Sequence, residues 1–186
     1  MKYFKKLVGE KVYLSPRNVE DYECFTEWLN DFETTDYIGK SNHLVTLASE
    51  KEYLEKHLND EGTFYIVELD NDKLLGTIGI EEIDYIRRTG TLGIFIGDKE
   101  ARSKGYGSEA IMLILDYAFH YLNLHNIKLD VFEFNKRALA CYQKCGFQEC
   151  GKRREAYFLN GKYYDVISMD ILKAEFSGDY IKNKNV

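Results

Sequence analysis

Two glycines one residue apart, Gly105 and Gly107, stand where a strand-like run gives way to an apolar helix. The run is Thr91 to Ile96, and the helix reads from Gly107 to Leu122, apolar on nearly every face and therefore buried. Between them lies Gly97-Asp98-Lys99-Glu100-Ala101-Arg102-Ser103-Lys104-Gly105-Tyr106-Gly107-Ser108. Glycines let the backbone turn its N–H groups inward without Cβ obstruction. The helix start adds unpaired donors and about half a positive charge, so the loop suits a pyrophosphate. Lys99, Arg102 and Lys104 add a positive cluster to a chain of net charge −6.

The remaining elements alternate. Lys11 to Leu14 reads as a short strand, and Asn18 caps a helix from Val19 to Leu29. Ser49-Glu50-Lys51-Glu52 reads as a capping box opening a second helix that ends near Asn59. Thr63 to Leu69 and Leu74 to Ile83 are strands joined by Asp70-Asn71-Asp72. A strand from Ile127 to Phe134 and a helix from Lys136 to Cys145 follow, then a hairpin around Asn160-Gly161, the residues of a type I′ turn. The fold class expected is α/β with a mixed, mostly antiparallel sheet of about seven strands, helices on both faces and one β-α-β crossing. With no linker or repeat in the chain, residues 1–176 read as a single domain and 177–186 as a polar tail that frays.

Composition removes several function classes. The acidic balance argues against a nucleic-acid partner. No apolar run approaches ~18 residues, so no membrane span is expected. The N-terminus has lysines but no apolar stretch behind them, so it is not read as a signal peptide. Cys24, Cys141, Cys145 and Cys150 then read as reduced thiols of a cytoplasmic protein. Cys141 and Cys145 share a helix face, but no paired His or C-x-x-C spacing accompanies them, and no metal is expected.

Three readings of the glycine loop compete. It is a plain turn, or a dinucleotide site, since Gly105-x-Gly107-x-x-Ala110 fits G-x-G-x-x-A and Glu133 follows about a strand later, or a coenzyme A site. Against the dinucleotide stands the long gap between Ile96 and Gly105, along with the antiparallel strands upstream. Arg102-x-x-Gly105-x-Gly107 resembles the Q/R-x-x-G-x-G/A signature of the GNAT acetyltransferases. The segment from Asn135 through Ala138 to Tyr142-Gln143-Lys144-Cys145-Gly146-Phe147 is similar to that family's next motif. The resemblance runs through Gly151 and the Asn160-Gly161 hairpin and is closest to the branch of ribosomal-protein N-terminal and spermidine acetyltransferases.

The resemblance implies a GNAT-like fold whose sheet splays between the strands at Thr91–Ile96 and Ile127–Phe134. It implies acetyl-CoA as co-substrate, its pantetheine arm on the backbone of Phe95 and Ile96 and its pyrophosphate on Arg102, Ser103, Lys104, Gly105, Tyr106, Gly107 and Ser108. It places Asn135 on the cofactor side and Tyr142 near the sulfur, as the acid that protonates departing thiolate. Read without the family, Asn135 is a helix cap and Tyr142 belongs to an apolar stripe with Ala138, Cys141 and Cys145.

Many members of this branch carry a Glu on the strand before the loop; here the comparable position is Thr91. Glu81, on one strand face with Thr77 and Gly79, is the substitute base candidate, and an ordinary solvent-facing Glu is its bland reading. At pH 7 roughly one in seven α-amines is neutral but only about one in 2,500 lysine-like amines. A site without an obvious base therefore suits a protein or peptide N-terminal α-amine, with polyamines or aminosugars as the alternative small-molecule partners. A non-catalytic acyl-CoA sensor and an NAD(P)-dependent oxidoreductase are the readings from other classes, and a homodimer is compatible with the sequence.

Overall fold

The structure, a computed structural model, describes residues 2–60 and 62–184. Its centre is one sheet of eight strands among the described residues, in the order β1-β2-β3-β4-β5-β6-β8-β7. These are β1 (Leu7–Val8), β2 (Val12–Ser15), β3 (Thr63–Glu68), β4 (Leu74–Asp84), β5 (Thr89–Ile96), β6 (Asn126–Phe132), β7 (Gln148–Leu159) and β8 (Lys162–Leu172). The count exceeds the expected seven by β1, a two-residue strand against Leu14 and Tyr13 that is too short to leave a periodic signal. All neighbours are antiparallel except β5 and β6, which run parallel. α4 (Tyr106–His120) makes that crossing, as the sequence indicates.

Strand alternation divides the interior into two cores. Val12, Leu14, Ile66, Ile78 and Ile80 face α4, whose Ile111, Leu113, Ile114, Leu115, Ala118 and Phe119 are buried almost all round. Tyr13, Tyr65 and Val67 point the other way, towards α1 (Tyr22–Leu29) and α3 (Leu47–Lys56), with Phe25 and Leu54. α5 (Lys136–Lys144) has its N-terminus capped by Asn135, whose Oδ1 accepts from the Ala138 amide at 3.1 Å. Asn160 (φ 49°) and Gly161 (φ 78°) make the β7–β8 turn with both residues left-handed, as a type I′ turn requires.

Three local expectations change. Thr46, not Ser49, caps α3: its hydroxyl accepts from the Ser49 amide, and Ser49 Oγ accepts from the Thr46 amide in return. The box is thus displaced by one turn, and the helix ends at Lys56. A one-turn helix, α2 (Phe32–Thr35), was not expected, because four residues carry no amphipathic period.

The tail expected to fray is docked over residues 177–184; residues 185 and 186 lie outside the described residues. Ile181 is 4% exposed within the main core. The Tyr180 and Ile181 amides donate to Asp116 Oδ2 at 2.7 and 3.1 Å, and the Lys182 amide donates to Val8 O at 2.7 Å. Burial alone would raise the Asp116 carboxyl, but bonds from His120, both amides and Lys184 outweigh it and hold it below the usual range. One apolar residue in a polar segment was a weak signal, and its partner carboxylate lies 65 residues away. Ile181→Ala is expected to destabilise the protein by about 2 kcal/mol, read as a lower urea midpoint with an unchanged slope.

Candidate active site

β5 and β6 pair over three positions only, Thr89 with Asn126, Gly90 with Ile127 and Thr91 with Lys128. Beyond Thr91 they part. β5 continues on β4 alone, and Leu129 to Phe132 continue on β8 alone. Gly76 lets β4 stay close to the far end of β5, since a Cβ there would fall 1.9 Å from Phe95 O. The expected splay is therefore present, and a cavity of about 390 Å³ opens at its mouth.

The glycine loop closes one end of this cavity. Ser103 (φ 63°) and Gly105 (φ 90°) are both left-handed, and Gly105 caps α4 without a side chain. The first intrahelical bond of α4 is made by the Glu109 amide to Gly105 O, so the amides of Tyr106, Gly107 and Ser108 are not used by the helix. Successive amides over a left-handed turn at a helix start form an anion cradle. Phosphate oxygens fit this donor set.

Several expected side chains point elsewhere. Arg102 lines the cavity, yet its guanidinium donates to Thr34 Oγ1 at 2.7 Å and to Ile96 O at 3.3 Å, with Glu33 at 3.7 Å. It braces α2 against the end of β5. Lys99 is held by Asp31 and Glu33, so the loop's positive cluster is largely neutralised by acids around α2. Tyr106 turns its hydroxyl to Glu68, and neither it nor Lys104 lines the cavity. The cavity's other cations are Arg137 and Lys144 of α5, which lie outside the glycine-loop motif.

Asn135 and Tyr142 come to the cavity as expected. Asn135 also serves as the α5 cap, so its cap reading holds and the residue lines the cavity as well. Tyr142 packs edge-on to Phe147 at 6.0 Å, and burial, with Cys141 and Cys145 nearby, pushes its hydroxyl above the usual tyrosine value. The hydroxyl therefore keeps its proton at neutral pH. Cys145 points its thiol at Ser108 O, 3.7 Å away, tying α5 to the start of α4. Among the described residues no group of three or more His, Cys, Asp or Glu is gathered to hold a metal ion.

A second cavity, of about 320 Å³, lies on the α1/α3 side and shares Ile38 and Phe95 with the first. Thr77 lines it, but Glu81 lines neither cavity. Glu81 is exposed, opposite Thr91, where β4 begins to bulge. Thr91 itself donates to Glu82 at 2.8 Å. The carboxylate that does line the second cavity is Glu50, 5% exposed on the first turn of α3. In the sequence it falls within the Ser49-Glu50-Lys51-Glu52 capping pattern. Its available signal was a carboxylate four residues before Leu54, on the same buried face of the helix.

A family model described as an acetyltransferase (GNAT) domain matches residues 11–148. The chain belongs to the GNAT acetyltransferases. As a GNAT enzyme it is an N-acetyltransferase that draws its acyl group from acetyl-CoA. The dinucleotide reading falls with this, and with a sheet that is antiparallel outside one pair. Spermidine N(1)-acetyltransferase of Vibrio cholerae is 38% identical over 127 residues, 68% of this chain and 73% of that protein. The Escherichia coli (strain K12) enzyme of the same name is 32% identical over 127 residues, covering 68% of this chain and 67% of the relative. A crystal structure of spermidine N-acetyltransferase from Vibrio cholerae in complex with CoA and spermine superposes with a TM-score of 0.80. It is 30% identical and covers 89% of this GNAT chain and 97% of the other. No helix among the described residues of this GNAT enzyme is long and apolar enough to cross a membrane.

Proposed function

We propose that this acetyltransferase modifies a small polyamine-like molecule, attaching the acetyl group to a primary amine by direct attack on the thioester. The similarity to spermidine N-acetyltransferases carries this reading. It favours the polyamine alternative over a protein N-terminal α-amine. The α-amine reading rested on the absence of a base at Thr91, and the buried carboxylate of Glu50 in the neighbouring cavity weighs against that premise.

In this reading the pyrophosphate of acetyl-CoA takes the amides from Ser103 to Ser108, and Arg137 and Lys144 supply positive charge nearby. The pantetheine arm follows the free lip of β5 at Phe95 and Ile96. Arg102 acts indirectly, by holding that lip to α2. The amine enters from the side of Phe95 and Ile38 and attacks the thioester carbon. Tyr142 gives its proton to the sulfur as the tetrahedral intermediate collapses.

A thiol-release assay comparing spermidine, aminosugars and short peptides with free α-amines at pH 7 tests the assignment. Spermidine is expected to show at least about tenfold higher kcat/KM than the peptides, with part of the advantage lost at high ionic strength. Peptides preferred at both ionic strengths would return the acceptor to the α-amine class.

A further inference from the structure

We propose that Glu50 is the general base of this enzyme: it receives the acceptor's ammonium group in the second cavity and takes its proton before attack. The proposal rests on the small-amine reading above and names the residue that reading lacks.

The geometry is that of a site waiting for a cation. Glu50 is 5% exposed and lines the cavity, and its carboxylate, which is not sealed in the core, opens onto that space with no side-chain hydrogen bond to it among the described residues. A buried carboxylate without a partner is costly unless it takes up a proton or a cation reaches it. Arg17 is the cation whose charge acts on Glu50, but its guanidinium is directed to His57 O at 3.2 Å and Asp60 at 3.6 Å. The other titratable groups around the cavity are Lys40 and His43, exposed on the segment between α2 and α3, and Tyr53 and Tyr65. The Tyr65 hydroxyl donates to Asn18 O and does not reach Glu50. An ammonium entering here would lie among aromatic rings, which favour a desolvated cation.

Burial pushes the Glu50 carboxyl up to about 7, against the pull of Arg17. A base poised near the working pH is the form that general catalysis needs. The step balances. Glu50 accepts one proton from R–NH3+, and the freed nitrogen pair forms the C–N bond. The second nitrogen proton replaces the one that Tyr142 gives to sulfur as the C–S bond breaks. Glu50 then releases its proton to solvent, one per amide formed.

The test is the pH profile of kcat/KM for the amine between pH 5.5 and 9, with acetyl-CoA affinity measured alongside. The wild type is expected to gain activity as pH rises through about 7, where Glu50 ionises. Glu50→Gln should lose that ionisation and about a hundredfold in kcat/KM at pH 7, while binding acetyl-CoA as tightly as before. Its residual rate should climb with pH as neutral amine becomes available, and Glu50→Asp should retain the ionisation at a reduced rate. A wild-type profile flat from pH 6 to 8, or a Gln variant within threefold of wild type, overturns the proposal and leaves the transferase reading standing. No thiol release with any amine from a wild type that binds acetyl-CoA overturns both. Should Glu50→Gln fail to fold, the wild-type profile and the Asp variant still decide.

Discussion

Tyr142→Phe is expected to lower kcat about a hundredfold or more, with acetyl-CoA affinity nearly unchanged. The ring stays, so its edge-on packing with Phe147 and its place in the wall of the donor cavity are kept. What goes is one hydroxyl, held protonated by burial and so able to donate its proton. Losing an acid that acts in the transition state should show in kcat rather than in ground-state binding. Rapid-quench measurement of acetyl-amine formation, beside calorimetric titration with acetyl-CoA, separates the two. A Phe variant with wild-type kcat would return Tyr142 to the apolar stripe that its spacing with Ala138, Cys141 and Cys145 describes.

Gly105→Val should weaken acetyl-CoA binding by a factor on the order of 30 to 100. A Cβ at this position meets only Lys11 Nζ, at 3.7 Å, so space is not the obstacle. The obstacle is φ at 90°, where a β-branched residue is strained by about 1–3 kcal/mol. Relief of that strain rotates the amides out of the cradle, at the further cost of a charge-assisted hydrogen bond. Calorimetry on both proteins checks the number, and equal affinities would show that the loop does not hold the pyrophosphate.

Much of the scaffold could be read from local pattern. The all-round apolar helix, the Asn160-Gly161 turn and the splay implied by the GNAT motifs are all present, because each rests on neighbours in sequence or on a motif of known geometry. Features that depend on distant partners could not be read. Arg102 looked like a phosphate ligand because the loop is locally basic, yet its partner Thr34 lies 68 residues away. Lys99 is paired with Glu33 in the same manner, 66 residues away. Glu50 lay in plain sight between Ser49 and Lys51, where its environment was read from a capping pattern one turn out of place. Burial by β3 and α1, which makes it an unusual carboxylate, has no trace in the residues beside it.

The parting of β5 and β6 bears on how an enzyme of this build changes over generations. On the reading above, the donor is gripped by main-chain groups: the free lip of β5 and the amides that open α4. Those groups are the same whatever side chains surround them, provided the glycines and the backbone course persist. On the same reading the acceptor cavity is different, because around Glu50 its shape and charge are written in the side chains of Lys40, His43 and the neighbouring aromatic rings. Drift at those positions would redirect the enzyme to another amine and leave the grip on its donor intact. The seam in the sheet thus separates what such a lineage must inherit from what it is free to revise.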